Sequence, residues 1–247
     1  APTTAGLLIA WFGPIAPLSL PFIFYCIAFA SAYSLTIKPR AHVKEHAGAT
    51  TKILDGLRHV TTSRTIVPLM LMGSIPFLLI LPSLNALMPV FAKEVFNTNS
   101  VGLGLLSSSL GFGATFGAIL IASVGNIKNK GKIVCYAVAT YITFSFLFAT
   151  NSTFGLSLIL LGIASAANSI LFSTNSTLIQ TATIDKFRGR VSSISSIPIG
   201  FFAVGTICTG ILSELFGPQG ATMVASGTSA ILLVLVLSFY PNVWRLE

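Results

Sequence analysis

Seven apolar stretches, each about as long as a bilayer is thick, constrain the fold of this chain more than any other feature. They cover residues 15–37, 65–91, 102–124, 133–150, 154–183, 191–215 and 219–240, after a shorter apolar segment at 1–12. A helix needs about 20 consecutive apolar residues to cross a membrane. Only 8% of the residues are charged, whereas a soluble domain carries about 25%. The sequence therefore predicts an all-α polytopic membrane protein.

Basic residues divide the connections between these stretches into two classes. Every Lys and Arg except Lys93 lies in the connections 38–64, 125–132 and 184–190 or near the C-terminus. Cytoplasmic loops carry such an excess of positive charge. We therefore predict a multi-pass protein of the cell's inner or plasma membrane, with cytoplasmic basic loops and a cytoplasmic C-terminus. The net charge of +8 could also indicate nucleic-acid binding, but short basic clusters between apolar stretches favour membrane lipid as the partner, and no nucleic acid.

A repeated motif indicates how the helices are grouped. Gly-Leu-Leu, three residues and Phe-Gly-Pro at 6–14 return as Gly-Ile-Leu, three residues and Phe-Gly-Pro at 210–218. A motif repeated after six helices, at the same end of a helix, predicts two related six-helix halves. Residues 1–37 are then the end of the first half, with a partial fifth helix and a sixth. Residues 38–64 form a cytoplasmic bridging loop with an amphipathic helix, and residues 65–247 form the complete second half.

Two spans carry marks of irregular or close packing. Residues 65–91 contain four prolines, which predict a bent or locally broken helix. Gly113 and Gly117 form a GxxxG pair in the span 102–124. Small residues at this spacing allow two helix backbones to approach closely.

Several loop motifs resemble those of the major facilitator superfamily. Residues 125–132 are similar to a shortened copy of its Gly-x-x-x-Asp-Arg-x-Gly-Arg loop, with Asn129 where the family has Asp. The segment 185–190 resembles the corresponding loop between the tenth and eleventh helices. The residues Leu-Asp-Gly-Leu-Arg at 54–58, Met-Pro-Val-Phe-Ala at 88–92 and the Arg-Gly-Arg-Val segment look like the enterobactin-exporter-like, or transmembrane secretion effector, branch.

This resemblance implies a major-facilitator-type helix bundle in which two halves rock around a site near the bilayer midplane. We expect a fragment of a secondary active transporter that moves a small-molecule solute by alternating access, as an exporter. Its partner is the missing N-terminal helical half of the same protein, so we expect no transport by these residues alone. The alternative is a non-transporting membrane scaffold or assembly partner.

Five neutral polar residues within the spans are candidates to line the transport pathway. They are Ser165, Asn168, Asn175, Asn85 and Ser195. The first three share one face of the helix at 154–183. A polar side chain within a membrane needs a cavity, water or a partner. The alternative for these residues is hydrogen bonding between helices, which Ser and Asn commonly supply.

A second group of residues is a candidate cytoplasmic gate. Asp185 could pair with Arg188 and Arg190, because carboxylates are stabilised at helix N-termini and by Arg. Asn129 and Lys130 occupy the related loop in the other connection. The alternative is that the basic residues only fix orientation and contact anionic lipid.

Two short motifs carry little weight. Residues 42–46 match the H-x-x-E-H pattern of zinc proteases, but Pro39 and Gly48 flank them and the next glutamate, Glu94, lies across the membrane. Residues 151–153 match a glycosylation sequon by chance. No charged residue lies in the middle of a full span, so we predict no enzyme activity, no cofactor and no metal site.

Overall fold

The computed structural model describes residues 16–33, 63, 65–125, 129–184 and 187–245. The chain divides into two compact units, Ala1–Gly48 and Ala49–Glu247. In the first unit, helix α1 (Ala16–Tyr33) lies within the predicted span 15–37. The partial helix at 1–12 lies outside the described residues, as does the predicted bridging loop apart from Ser63. The assignment of 1–37, 38–64 and 65–247 to separate parts stays a prediction.

All described secondary structure in the second unit is helical. Its elements are α2 (Ile66–Ala86), α3 (Met88–Val90), a π-helical turn (Phe91–Val95), α4 (Ser100–Ser123), α5 (Lys130–Thr150), α6 (Phe154–Ala182), α7 (Arg188–Ser195), α8 (Ile197–Phe239) and a 3₁₀ turn (Pro241–Arg245). Five helices of the described part are long and apolar enough to cross a membrane. The all-α, polytopic fold class is confirmed.

The longest helix, α8, is two membrane helices joined at Gly217. Gly217 has φ 72° and ψ 171°, a region of backbone conformation that essentially only glycine adopts. Pro218 follows it and cannot donate a backbone hydrogen bond. The break therefore falls at the Phe-Gly-Pro motif, where the sequence predicts one span to end and the next to begin.

The proline-rich span is broken as its composition predicts. Helix α2 accommodates Pro76 and Pro82, ends at Ala86, and is followed by the short helix α3 with Pro89 in its first turn. The π-helical turn follows directly, and the backbone N–H and the hydroxyl of Thr98 both donate to the carbonyl oxygen of Ala92. The chain thus reaches α4 through a hydrogen-bonded turn.

Helices α4 and α6 run parallel in close contact. A methyl group built on Gly113 would overlap the carbonyl oxygen of Gly162, and one on Gly117 would overlap that of Ala166. The contact advances by four residues on both helices, which shows that they run in the same direction. The close approach expected of the GxxxG pair is present.

Helix α2 and the first part of α8 also run in the same direction. A Cβ on Gly205 would lie 2.5 Å from the carbonyl oxygen of Leu78, and the rings of Phe77 and Phe202 lie 6.1 Å apart. Earlier residues of the two helices, Met70 of α2 and Ile199 of α8, border one cavity. Both helices therefore begin at the same end of the bundle.

The second part of α8 runs antiparallel to α5. Gln219 donates to the carbonyl oxygen of Asn151 at one end, at 3.4 Å. The rings of Tyr136 and Trp244 lie 5.7 Å apart at the other. The start of α5 and the C-terminal turn therefore share one end of the bundle.

These directions place the helix termini of the second unit that adjoin basic connections at one end of that unit, which we call the basic end. Thr183 at the end of α6 and Met70 near the start of α2 border the same cavity. Helix α4 runs parallel to α6 and therefore ends at that side as well. This is the alternation that the charge pattern predicts; its assignment to the cytoplasm stays a prediction.

Candidate functional site

A cavity of about 460 Å³ opens between α2, α6, α7 and the start of α8. Its walls come from residues 70–77 of α2, 172–183 of α6 and 191–199 of α7 and α8. These are the parts of each helix nearest the basic end. The cavity therefore lies in the half of the bundle that faces the basic connections.

The lining is neutral, and its polar part consists of hydroxyl and amide groups. Its polar side chains are those of Ser74, Asn175, Ser176, Gln180, Thr183, Ser192, Ser195 and Ser196. Apolar residues make up the rest, among them Phe77 and Phe172. None of these described lining residues is charged. These described residues can form hydrogen bonds and apolar contacts but offer no counter-charge.

Asn175 is a buried polar residue in the wall of the cavity. Its side chain is only 8% exposed, and its carbonyl oxygen Oδ1 has no hydrogen-bond partner among the described residues. A buried acceptor without a partner costs about 1–3 kcal/mol. The amide is seated against α2, because a Cβ on Gly73 would lie 2.5 Å from Nδ2 of Asn175. Gly73 therefore provides the space that Asn175 occupies.

Ser195 lines the cavity at the point where the chain breaks between α7 and α8. The hydroxyls of Ser195 and Ser196 both donate to the carbonyl oxygen of Ser192, at 2.8 and 3.0 Å. Pro198 then stands in the first turn of α8. Such serine bonds to the preceding turn compete with the regular helix ladder, and proline removes a donor. Asn175 and Ser195, both expected in the pathway, thus border the same cavity.

The other three pathway candidates lie elsewhere. Ser165 donates to the carbonyl oxygen of Leu110 on α4, at 2.6 Å, which is the helix-to-helix hydrogen bond considered as its alternative role. Asn168 is half-buried on α6 and is not among the cavity residues. Asn85 is exposed near the far end of α2, and its amide donates to its own helix at Leu81, at 2.9 Å. A pathway role for these three stays a prediction.

Of the polar residues that line the cavity, the sequence analysis predicted only Asn175 and Ser195. Ser176, Gln180 and Thr183 are spaced by four and three residues and therefore share one helix face. That face is turned by about 100° from Asn175, so the stripe that suggested Asn175 did not point to them. Gly73 and Ser74 carry no comparable signal, since a single small residue in a proline-bent span has many structural roles.

The charged segment before α7 is only partly described. Asp185 and the side chain of Arg188 lie outside the described residues. The guanidinium carbon of Arg190 lies 5.4 Å from the ring centre of Phe187, a distance at which a cation is attracted to an aromatic face. The latch among Asp185, Arg188 and Arg190 stays a prediction.

Asn129 and Lys130 begin helix α5 at the basic end. Asn129 adopts a left-handed conformation with φ 64° and ψ 49°, which asparagine tolerates better than most residues. Its carbonyl oxygen accepts from the N–H of Lys132 at 3.1 Å. These two residues therefore form a tight entry into α5, and their part in a gate stays a prediction.

Of the two short sequence motifs, at residues 42–46 and 151–153, the structure describes only the second. Residues 42–46, which match the H-x-x-E-H pattern, lie outside the described residues. The amide nitrogen of Asn151 donates to the carbonyl oxygen of Thr153 and to the hydroxyl of Ser157, both at 2.7 Å. This asparagine connects α5 to α6.

A comparison with family models identifies the family to which this chain is similar. A family model described as transmembrane secretion effector matches residues 1–246 of the chain. No curated protein and no solved structure matches it.

Proposed function

Since this chain belongs to the transmembrane secretion effector family of the major facilitator superfamily, and is thus a membrane transporter or secretion effector, we propose that it moves a small solute outward by alternating access. In this proposal residues 65–247 are the second half of a secondary transporter. They form one wall of the solute site. Transporters of this superfamily are generally not enzymes.

The cavity at the basic end is the observation that carries the proposal. Alternating access requires a solute site that opens to one side at a time between packed helices. The cavity borders three membrane helices, and it contains a buried amide whose oxygen has no partner among the described residues. Because polar side chains within a membrane are costly and mark solute pathways, the hydroxyl and amide groups along this cavity support a solute site.

The packing of the bundle supports a rigid half that can rock as one body. Glycines bring α4 against α6 and α8 against α2 at backbone distance. Contacts of this kind hold membrane helices together by close packing. In the proposal, Asp185, Arg188 and Arg190, with Asn129 and Lys130, form the cytoplasmic gate, because both segments adjoin helices that begin at the basic end.

The scaffold alternative receives no comparable support. In a scaffold, Asn175 would contact lipid or a partner protein. Its side chain instead borders a cavity inside the second unit of this chain. Transport is therefore the function that the geometry favours.

Accessibility of one cavity residue tests the proposal. The protein, expressed from its whole reading frame with its native cysteines replaced, carries Ser176→Cys in the cavity or Thr228→Cys on the exposed face of α8 as the control. We expect a membrane-impermeant maleimide to label Ser176→Cys in inverted vesicles, at a rate that changes severalfold when an H⁺ or Na⁺ gradient is imposed. Thr228→Cys stays unlabelled. Equal labelling of Ser176→Cys from both sides, unchanged by any gradient, would contradict alternating access.

A further inference from the structure

We infer that the start of α5 and the C-terminal turn form a binding surface for an anionic phospholipid. The headgroup lies against Lys130 and Lys132, beside the rings of Tyr136 and Trp244, and the acyl chains follow the exposed face of α5. None of these four residues borders the cavity, so the inference goes beyond the proposed function. Three observations support it: the charge of this surface, a pair of aromatic rings and the apolar strip that continues from them.

The first observation is the positive charge at the start of α5. Lys130 is half-buried and Lys132 is exposed, and the first turn of α5 has no acidic residue. The carboxylates of the described residues belong to Glu94 and Glu214, which lie at the opposite end of the second unit. Basic residues beside a membrane helix attract anionic lipid headgroups. The described residues at this end therefore offer positive charge that an anionic headgroup complements.

The second observation is a pair of aromatic rings one helical turn from Lys132. Tyr136 follows Lys132 by four residues and therefore lies on the same face of α5. Its side chain is 64% exposed, and its ring meets that of Trp244 edge to face, with the ring centres 5.7 Å apart. Tyr and Trp prefer the depth of the lipid headgroups, because each combines an apolar ring with a polar group. The two rings therefore place Lys132 at the level of the headgroups.

The third observation is the strip that continues from Tyr136 towards the middle of the membrane. Ala139 and Thr143 follow Tyr136 at spacings of three and four residues, so they share its face, and both are exposed. On α8, the side chains of Leu235 and Phe239 are also exposed and apolar. The strip from Tyr136 to Thr143 is about 10 Å long, whereas one leaflet of hydrocarbon is about 15 Å thick. An acyl chain can therefore lie along α5 while its headgroup contacts the lysines.

Quenching by brominated lipids measures the lipid composition at this surface. The whole protein, with its native cysteines replaced, carries a bimane label on Ala139→Cys in vesicles of phosphatidylcholine and phosphatidylglycerol, one of which is brominated at a time. The two quenching curves give the binding constant of phosphatidylglycerol relative to phosphatidylcholine beside the label. We expect about fivefold preference for phosphatidylglycerol, the effect of one lysine close to an anionic lipid. Thr228→Cys, on the exposed face of α8, is the control position and should show no preference.

Charge-neutralising variants assign the preference to the two lysines. Lys130→Gln combined with Lys132→Gln should abolish the preference measured at Ala139→Cys. Lys93→Gln is the matched control, because Lys93 is exposed at the opposite end of the unit and lies next to Glu94. This control makes the same chemical change and should leave the preference intact.

Three results would overturn the inference. The first is equal binding of the two lipids at Ala139→Cys. The second is the same preference at Ala139→Cys and Thr228→Cys, which would show that anionic lipid gathers around the whole protein and not at this surface. The third is a preference that survives the loss of both lysines.

The comparison of the two label positions decides the matter even where the double lysine variant fails to insert into vesicles. The measurement uses neither a solute nor an ion gradient. Its outcome is therefore independent of whether the protein transports.

Discussion

The contact between α4 and α6 offers the sharpest test of how this bundle is held together. Gly113 and Gly111 lie two residues apart on α4 but in different surroundings. A methyl group on Gly113 would overlap the backbone oxygen of Gly162, whereas one on Gly111 would meet nothing within 4 Å. The pair Gly113→Ala and Gly111→Ala therefore makes the same chemical change with and without a neighbouring backbone.

The expected magnitudes follow from the two environments. Replacing Gly by Ala within a helix favours the helix by about 0.8–1 kcal/mol, and Gly111→Ala should show this gain or part of it. At Gly113 the methyl group must push two backbones apart, and overpacking of this kind costs about 1–3 kcal/mol. Since backbone atoms cannot rotate away, we expect the cost to exceed the gain, so that Gly113→Ala lowers the free energy of unfolding.

Hydrogen bonds between the same helices provide an internal comparison. Ser165 donates to Leu110, and Ser109 donates to the carbonyl oxygen of Leu158. Such bonds between membrane helices average about 0.6 kcal/mol. Ser165→Ala should therefore destabilise the protein less than Gly113→Ala does.

The free energy of unfolding is measured for the whole protein and all three variants in mixed micelles. Unfolding is reversible and is followed at rising mole fractions of sodium dodecyl sulfate. The reasoning predicts opposite signs for Gly113→Ala and Gly111→Ala and a smaller loss for Ser165→Ala. Equal shifts for the two glycine variants would refute it. A larger loss for Ser165→Ala would show that hydrogen bonding, and not backbone contact, dominates this interface.

Two other predictions concern the helix break and the orientation of the bundle. Gly217→Ala should lower the free energy of unfolding by about 1–3 kcal/mol in the same assay, because Gly217 has a backbone conformation that alanine rarely adopts. The control is Gly227→Ala, which lies in open space within a regular helix and should cost less. Equal losses would contradict the strain argument. With the native cysteines replaced, an impermeant maleimide should label Ser152→Cys on intact cells but Lys132→Cys only after permeabilisation, and the reverse pattern would overturn the assignment of the basic end to the cytoplasm.

Hydropathy, together with the positions of glycine and proline, was sufficient to predict the membrane-spanning helices of the second unit. Lipid surrounds a membrane helix, so a long apolar stretch between polar connections leaves few alternatives to a span. The Phe-Gly-Pro motif located the break inside α8 because glycine and proline act on the backbone directly. The break at Ser196 was not predicted, since its hydrogen bonds to Ser192 depend on rotamers that the residue types leave open.

The candidate site was harder to predict because neighbouring helices decide what a polar residue does. Ser165 and Asn175 are ten residues apart on α6, a rise of about 15 Å along the axis. Ser165 lies where α6 contacts α4, and its proton reaches Leu110. Asn175 lies where α6 contacts α2, beside Gly73. Both positions carry a neutral polar residue within one span, and only the packing partner separates a structural hydrogen bond from a cavity wall.

The two ends of the second unit differ in a way that bears on the proposed mechanism. At the end away from the basic connections, the rings of Phe91 and Phe148 lie 4.7 Å apart, and Asn151 connects α5, α6 and the second part of α8. At the basic end, α6 and α7 border a cavity. In the proposed mechanism two halves rock against each other around a fixed site, so the transporter is closed at one end while it is open at the other. A packed aromatic end and a cavity at the basic end are what the proposal expects of this half in its inward-open state.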